Sequence, residues 1–133
     1  MQFKPRVKVV AGVLEVDGAV LVQERPAGKA RAFLWEFPGG KVDPGESSDA
    51  CVEREFFEEL GLRIRVDKEL WSHQHAYEDI VVDLTLFAVT HLSSLDEMMA
   101  HDGQTIAWVQ KTELMALDFC PADKEFIAFL AKA

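Results

Sequence analysis

The sequence predicts an α/β fold in one domain covering residues 1–133. Three observations predict it: runs of alternating aliphatic residues, a well-capped amphipathic helix over 47–61 set among them, and a second helical pattern at the C-terminal end. At 133 residues, 49% hydrophobic and 28% charged, the chain has the length and balance for a single core.

Val7–Val16 is rich in β-branched and aliphatic residues, Asp17-Gly18 is a two-residue hairpin signal, and Ala19–Gln23 resumes the apolar run, so two antiparallel strands are expected. Pro26–Ala32 lacks periodicity and reads as a polar loop able to reach over a site, with Lys29 and Arg31 more often merely solvated cations. Phe37-Pro38-Gly39-Gly40 and Asp43-Pro44-Gly45 punctuate a turn-rich segment. The helix begins near Ser47 or Ser48, either of which can cap it; Asp49 and Glu53 suit its positive end, and Gly61 ends it. Ile64–His75 and Ile80–Val89 alternate as strands, with Val82, Leu84 and Leu86 on one face and Val81, Asp83, Thr85 and Phe87 on the other. Thr105–Val109 reads as a short strand, Lys111–Ala116 as a short helix, and Pro121–Leu130 as a closing helix with proline in its first turn.

A formal charge of −9 argues against a nucleic-acid polymer or an anionic membrane as partner, since both need a positive field. An acidic protein binds a polyanion through divalent cations held by clustered carboxylates. No secretory pattern and no apolar run approaching the ~20 residues of a bilayer span is present, so a cytoplasmic location is expected. Cys51 and Cys120 lack zinc-site spacing and are expected to be reduced core residues.

On the 47–61 helix, Glu55, Glu58 and Glu59 stand at i, i+3 and i+4, within about 100° of azimuth. Such a stripe repels itself unless cations or basic groups neutralise it, and magnesium does so. Arg54, four residues before Glu58, can fix that carboxylate, and Glu46 can join from the preceding loop. Val52, Phe56 and Leu60 form the adjacent apolar stripe that seats the helix on a sheet. An isolated E-x-x-E-E would be only a charged surface, but more is present here.

Gly40, Glu46, Arg54, Glu55, Phe56, Glu58, Glu59, Gly61 and Leu62 match G-x5-E-x7-R-E-U-x-E-E-x-G-U, where U is bulky and apolar. A chance match in a chain this size arises on the order of once in ten million trials, which excludes coincidence. By this box, and by the flanking Leu34–Lys41 and Phe119–Asp123, the chain resembles the Nudix hydrolases of the MutT-like and CTP pyrophosphohydrolase-like branch. The resemblance implies a mixed β-sheet sandwiched between α-helices. It also implies a metal-dependent nucleoside triphosphate pyrophosphohydrolase that releases a nucleoside monophosphate and pyrophosphate and sanitises modified nucleotides, with Mg2+, or Mn2+ in its place, as cofactor.

By the same resemblance Glu55, Glu58, Glu59 and the main-chain carbonyl of Gly39 bind metal, Glu46 supports the network and Arg54 orients it. Glu58 is the first candidate to take the water proton. Asp102 is the second, a turn-forming Asp before Gly103 being the plain alternative. Arg25 stands where relatives keep a phosphate-contacting arginine, and Lys41 adds a second cation or a solvated surface charge.

Asp123 replaces the asparagine of the F-x-P-A-N segment of the oxidised-guanine branch. Ionised, it only accepts hydrogen bonds, which favours a base with an exocyclic amino group: a cytosine nucleotide, modified at carbon five or not, is at least as attractive as an oxidised guanine nucleotide, and purines with exposed amino groups stay open; the plain alternative is an acid suited to a helix start. His73 and His75 alternate on a strand but are too few for a metal site, and Trp35, Trp71 and Trp108 read as core or cleft walls, with Trp35 and Phe37 bordering a base. The box leaves open cleavage of a nucleoside diphosphate linked to a sugar or second nucleotide, and a non-catalytic nucleotide sensor. It also leaves the oligomeric state open, a monomer included.

Overall fold

The computed structural model describes residues 4–132. In chain order the strands are β1 (Arg6–Val16), β2 (Ala19–Glu24), β3 (Trp35–Glu36), β4 (Gly39–Lys41), β5 (Ile64–Ala76), β6 (Val81–His91) and β7 (Thr105–Gln110). Helix α1 (Ser48–Leu60) lies between β4 and β5, and α2 (Lys124–Ala131) closes the described chain. Among the described residues, no helix is long and apolar enough to cross a membrane.

β1 organises the sheet. It runs parallel to β6, from Arg6 opposite Val81 to Leu14 opposite Val89, and antiparallel to β4. β5 continues that sheet antiparallel to β6. At its far end β1 turns through Asp17 and Gly18, both at positive φ, into β2, which carries β3 and β7 antiparallel to it. Positive φ at both central residues is the hairpin geometry that matches strand twist, and Asp-Gly adopts it at low cost.

Alternation along β1 then builds two cores. Val10 and Leu14 point with Leu21 into a layer completed by Val52, Phe56 and Leu60 of α1 and by Leu62. Ala11 and Val13 point the other way, to a layer of Val20, Val22, Leu86, Phe119, Phe126 and Leu130 beneath α2. The sheet is therefore mixed and covered by a helix on each side, as expected. Gly12 allows the close approach of α1: a β-carbon there would lie 2.5 Å from Cε1 of Phe56.

α1 follows its sequence signals. Ser47 Oγ accepts from the Ala50 N–H at 3.1 Å, and Gly61 at φ 66° sends its N–H to the Phe57 carbonyl at 2.8 Å. Cys51 and Cys120 are buried free thiols.

Several expectations are corrected. The segment read as turns contains β4, because pairing with β1 supplies order that glycine-rich sequence does not advertise, and the two-residue β3 lies just before it, paired with β2. Gly39 is confined there: a β-carbon would collide with the Val10 carbonyl. Lys111–Ala116 is the expected short helix, of 3-10 type, whereas Pro121–Asp123 is a separate 3-10 turn and α2 starts only at Lys124. An unanticipated 3-10 turn spans Leu95–Glu97. Trp71 packs against Phe126 and Phe129, but Trp108 is 38% exposed on β7 and is no core wall. His73 and His75 lie partly exposed on β5, near Glu125 and Tyr77 respectively.

Candidate active site

The apolar stripe of α1 fixes the rotation of the helix, and with it the depth of each acid. Glu59 is buried with 9% exposure, Glu55 is half-buried and Glu58 is exposed. Arg54 joins them to the loop before the helix. Its Nε and Nη2 donate to the two oxygens of Glu46 at 2.7 and 3.0 Å, and Nη1 donates to Glu55 Oε1 and Glu58 Oε2, both at 2.9 Å. The Lys41 carbonyl accepts from Nη2 at 3.3 Å. These bonds, and the Asp43 N–H donating to Glu46, hold the Glu46 carboxyl down at about 2. Burial raises Glu55 against the pull of Arg54.

Glu59 is the outlier. Burial pushes its carboxyl up to about 9, the hydrogen bond from Gln23 opposes that, and Glu55, Glu36 and Asp102 add repulsion. Its Oε1 accepts from Gln23 Nε2 at 2.9 Å, whereas its Oε2 is buried and has no hydrogen-bond partner among the described residues. Gly40 makes room for Glu55, since a β-carbon at residue 40 would lie 2.5 Å from the Glu55 carboxyl carbon.

The three carboxylates of the stripe have different partners in this structure. Among the described residues, no three His, Cys, Asp or Glu side chains form a group able to hold a metal ion. The reason is local: Arg54 draws Glu55 and Glu58 to its own guanidinium, while Glu59 turns inward to Gln23. The donor set still fits a hard divalent cation. Carboxylate oxygens suit Mg2+ and Mn2+, and a buried, unpartnered carboxylate oxygen is a costly arrangement that a cation relieves.

Two cavities meet beside these acids. The larger, about 230 Å³, has apolar walls from Val7, Val9, Tyr77, Ile80, Val82 and Leu84, and polar groups from Arg25, Glu36, Lys41, Glu59 and Asp123. The smaller, about 100 Å³, is lined by Gln23, Arg25, Lys29, Glu36, Glu59, Asp102 and Gln104. Arg25, Glu36 and Glu59 border both. Gly39 and Phe37 also line the larger cavity, while Glu46, Arg54, Glu55 and Glu58 line neither.

Phe37 is buried and packs against Phe119 and Phe126, with ring centroids 5.6 and 5.8 Å apart, so it forms a wall. Arg25 is already engaged: Nη1 donates to Glu36 Oε1 at 2.9 Å and Nε to the Ala30 carbonyl at 2.7 Å. Lys41 is exposed at the rim. Arg31, expected to be solvated, stacks 4.2 Å from the centroid of the Tyr77 ring and pairs with Asp79 at 3.3 Å.

Asp123 is only 5% exposed, and burial, with the charge of Glu36, holds its carboxyl well above the usual range. Ionised, this acid only accepts; protonated, it both donates and accepts.

Gln23, Glu36, Gln104 and Tyr77 belong to the site without having been singled out from sequence. For Gln23 a signal exists, because an amide in an inward position of an otherwise apolar strand calls for a partner. The others are recruited by tertiary contact.

The NUDIX domain family profile matches residues 9–129. The CTP pyrophosphohydrolase of Escherichia coli strain K12 is 36% identical over 126 residues, covering 94% of this chain and 92% of that protein. The 8-oxo-dGTP diphosphatase of Haemophilus influenzae is 31% identical over 126 residues, covering 93% and 90%. Among solved structures, that of the E. coli ORF135 protein superposes with a TM-score of 0.81 at 35% identity, over 96% of this chain and 91% of that one. The MutT protein of Methanosarcina mazei Go1 superposes with a TM-score of 0.86 at 20% identity, over 99% and 97%, and shares the fold.

Proposed function

We infer the activity from one premise: the chain belongs to the NUDIX domain family. It is a hydrolase of phosphoanhydride bonds, acting as a nucleoside triphosphate pyrophosphohydrolase that releases a nucleoside monophosphate and pyrophosphate. One observation supports this reading above the rest. Glu59, with its unpartnered buried oxygen, borders both a largely apolar cavity able to receive a base and a smaller one lined by Arg25 and Lys29, suited to phosphates.

Nudix hydrolases generally need a divalent metal, and the proposed ion here is Mg2+, with Mn2+ able to replace it. Glu55, Glu58, Glu59 and the Gly39 carbonyl would hold it. When bound, such an ion neutralises the polyphosphate, activates water and stabilises charge on the bridging oxygens. Arg54 keeps Glu46, Glu55 and Glu58 in register with the loop. Glu58, exposed and held only by Arg54, is the first candidate to take the water proton; Asp102, beside Glu59 in the smaller cavity, is the second. Arg25 and Lys41 supply positive charge to the phosphates.

Asp123 and the walls around it carry the base preference. A protonated Asp123 donates to the ring nitrogen N3 of cytosine and accepts from its exocyclic amino group, whereas an ionised one would match two donors on guanine. Cytosine nucleotides, modified ones included, are the proposed first choice, with oxidised guanine nucleotides second. The buried free thiols suit a reducing cytoplasm.

The test is a nucleotide panel with Mg2+ that includes CTP, dCTP, 5-methyl-dCTP and 8-oxo-dGTP, with products identified. Pyrophosphate should appear for at least one triphosphate, and Glu58→Gln should slow turnover by a large factor. Orthophosphate alone, or no turnover of any triphosphate, contradicts the activity; a preference for 8-oxo-dGTP over every cytosine nucleotide contradicts the base assignment.

A further inference from the structure

We propose that Gln23 is a positioning residue that aims the Glu59 carboxylate at the bound metal and ties it to Glu36 of the base cavity. The inference rests on the metal-dependent reading above and extends it to a residue outside the sequence box.

Strand alternation explains why this amide is where it is. Val20 and Val22 face the layer beneath α2, so Leu21 and Gln23 face α1, and a leucine-like residue would be the ordinary choice at position 23. Instead an amide is buried there with only 3% exposure. Burying an amide is unfavourable unless it is hydrogen-bonded, so its partners show what it serves.

Both amide hydrogens have carboxylate partners. Nε2 donates to Glu59 Oε1 at 2.9 Å and approaches Glu36 Oε2 at 3.4 Å. On the other side, Gln23 Oε1 accepts from Gln104 Nε2 at 3.4 Å, and that nitrogen also donates to the Glu59 carbonyl at 3.1 Å. Gln104 Oε1 in turn accepts from the Asp102 N–H at 2.9 Å. The orientation of Gln23 is fixed by chemistry, since a flipped amide would set its oxygen against Glu36 and its NH2 against the amide nitrogen of Gln104, which the Asp102 N–H holds in place.

The consequence for Glu59 is specific. With Oε1 held by Gln23, the carboxylate cannot swing freely, and its one unpartnered oxygen, Oε2, is left in a single direction. Supporting contacts of this kind orient a metal ligand, and their loss typically weakens metal binding by about 10–100-fold. Leucine at 23 would fill the space but hold nothing.

The experiment is a Mn2+ titration of the full chain, followed by the EPR signal of free Mn2+, on wild type, Gln23→Leu and Gln23→Met, with thermal melts and steady-state kinetics of each. Methionine keeps the unbranched length of glutamine and covers the case in which leucine does not fold. The expected result is a Mn2+ dissociation constant raised about tenfold or more in a folded variant, with kcat falling more than the nucleotide KM rises. A Glu59→Gln background should abolish the added effect of the Gln23 change. A folded variant that binds Mn2+ as wild type does overturns the proposal and leaves the metal-dependent reading intact. Wild type that binds no Mn2+ overturns both.

Discussion

Arg54→Lys is the substitution that separates positioning from substrate contact. It keeps the charge and removes the fork. In the structure one guanidinium makes four contacts of 2.7–3.0 Å to three carboxylates, two of them a paired grip on Glu46. An ammonium is a single point on a flexible four-carbon stem and cannot reproduce paired bonds to Glu46 while reaching Glu55 and Glu58. Because Arg54 is partly exposed, the stability loss is modest, about 1–2 kcal/mol, or about 3–8 °C in Tm for a chain of this length. The loss in turnover is larger, since a displacement of about 1 Å in reacting geometry costs about 100-fold. Arg54 lines neither cavity, so KM for the nucleotide should change by less than about threefold. Steady-state kinetics with the best triphosphate, run beside a thermal melt, measures all three. An increase in KM at unchanged kcat would refute the reasoning, because Arg54 would then be gripping the substrate itself.

Asp123 predicts a pH-dependent preference. Its folded pKa lies above the unfolded value, so its contribution to stability is full below about 4, where the unfolded carboxyl titrates, and is lost as pH rises through the raised folded value. Melts across that range should show a decline that Asp123→Asn abolishes. The ratio of kcat/KM for dCTP over 8-oxo-dGTP should fall over the same rise in pH, and a flat ratio contradicts a protonated Asp123. Glu46 has the opposite sign: its lowered pKa adds stability above the ordinary carboxyl range, lost as pH falls toward about 2, and Arg54→Gln should remove that acid-side resistance in melts between pH 5 and 2. Gly12→Ala drives a methyl group into Phe56 and should cost about 1–3 kcal/mol by chemical denaturation, with turnover falling as α1 shifts; an unchanged midpoint would show that α1 can back away freely.

What was legible in the sequence is what depends on near neighbours. The start and end of α1, its apolar stripe and the Asp17-Gly18 hairpin are decided within a few residues, so Ser47, Gly61 and Phe56 behave as read. The strand at 39–41 was not legible because β1 imposes it on a glycine pair of low strand propensity, and the strand at 35–36 is too short, at two residues, to show alternation. At the site, residue types survived the step to three dimensions better than their states did. The spacing of Glu55, Glu58 and Glu59 puts them near one another, but only the fold shows that Arg54 holds two of them while Gln23 takes the third. Asp123 was recognisable as an acid near a helix start; its burial beside Glu36 changes what that acid offers a base.

The central pairing of β1 with β6 also bears on how the chain reaches this state. The Arg6–Asp83 ion pair at its open end joins residues 77 positions apart, and the whole parallel ladder beside it is equally remote in sequence. Closing so large a loop costs chain entropy before any contact rewards it, which slows folding. The β5–β6 hairpin and α1 form from local contacts and can appear early, whereas β1 must wait for β6 with one backbone edge unpaired. During synthesis on the ribosome that edge would stay open until residues 81–91 emerge, which leaves the first strand in need of protection from edge-to-edge aggregation.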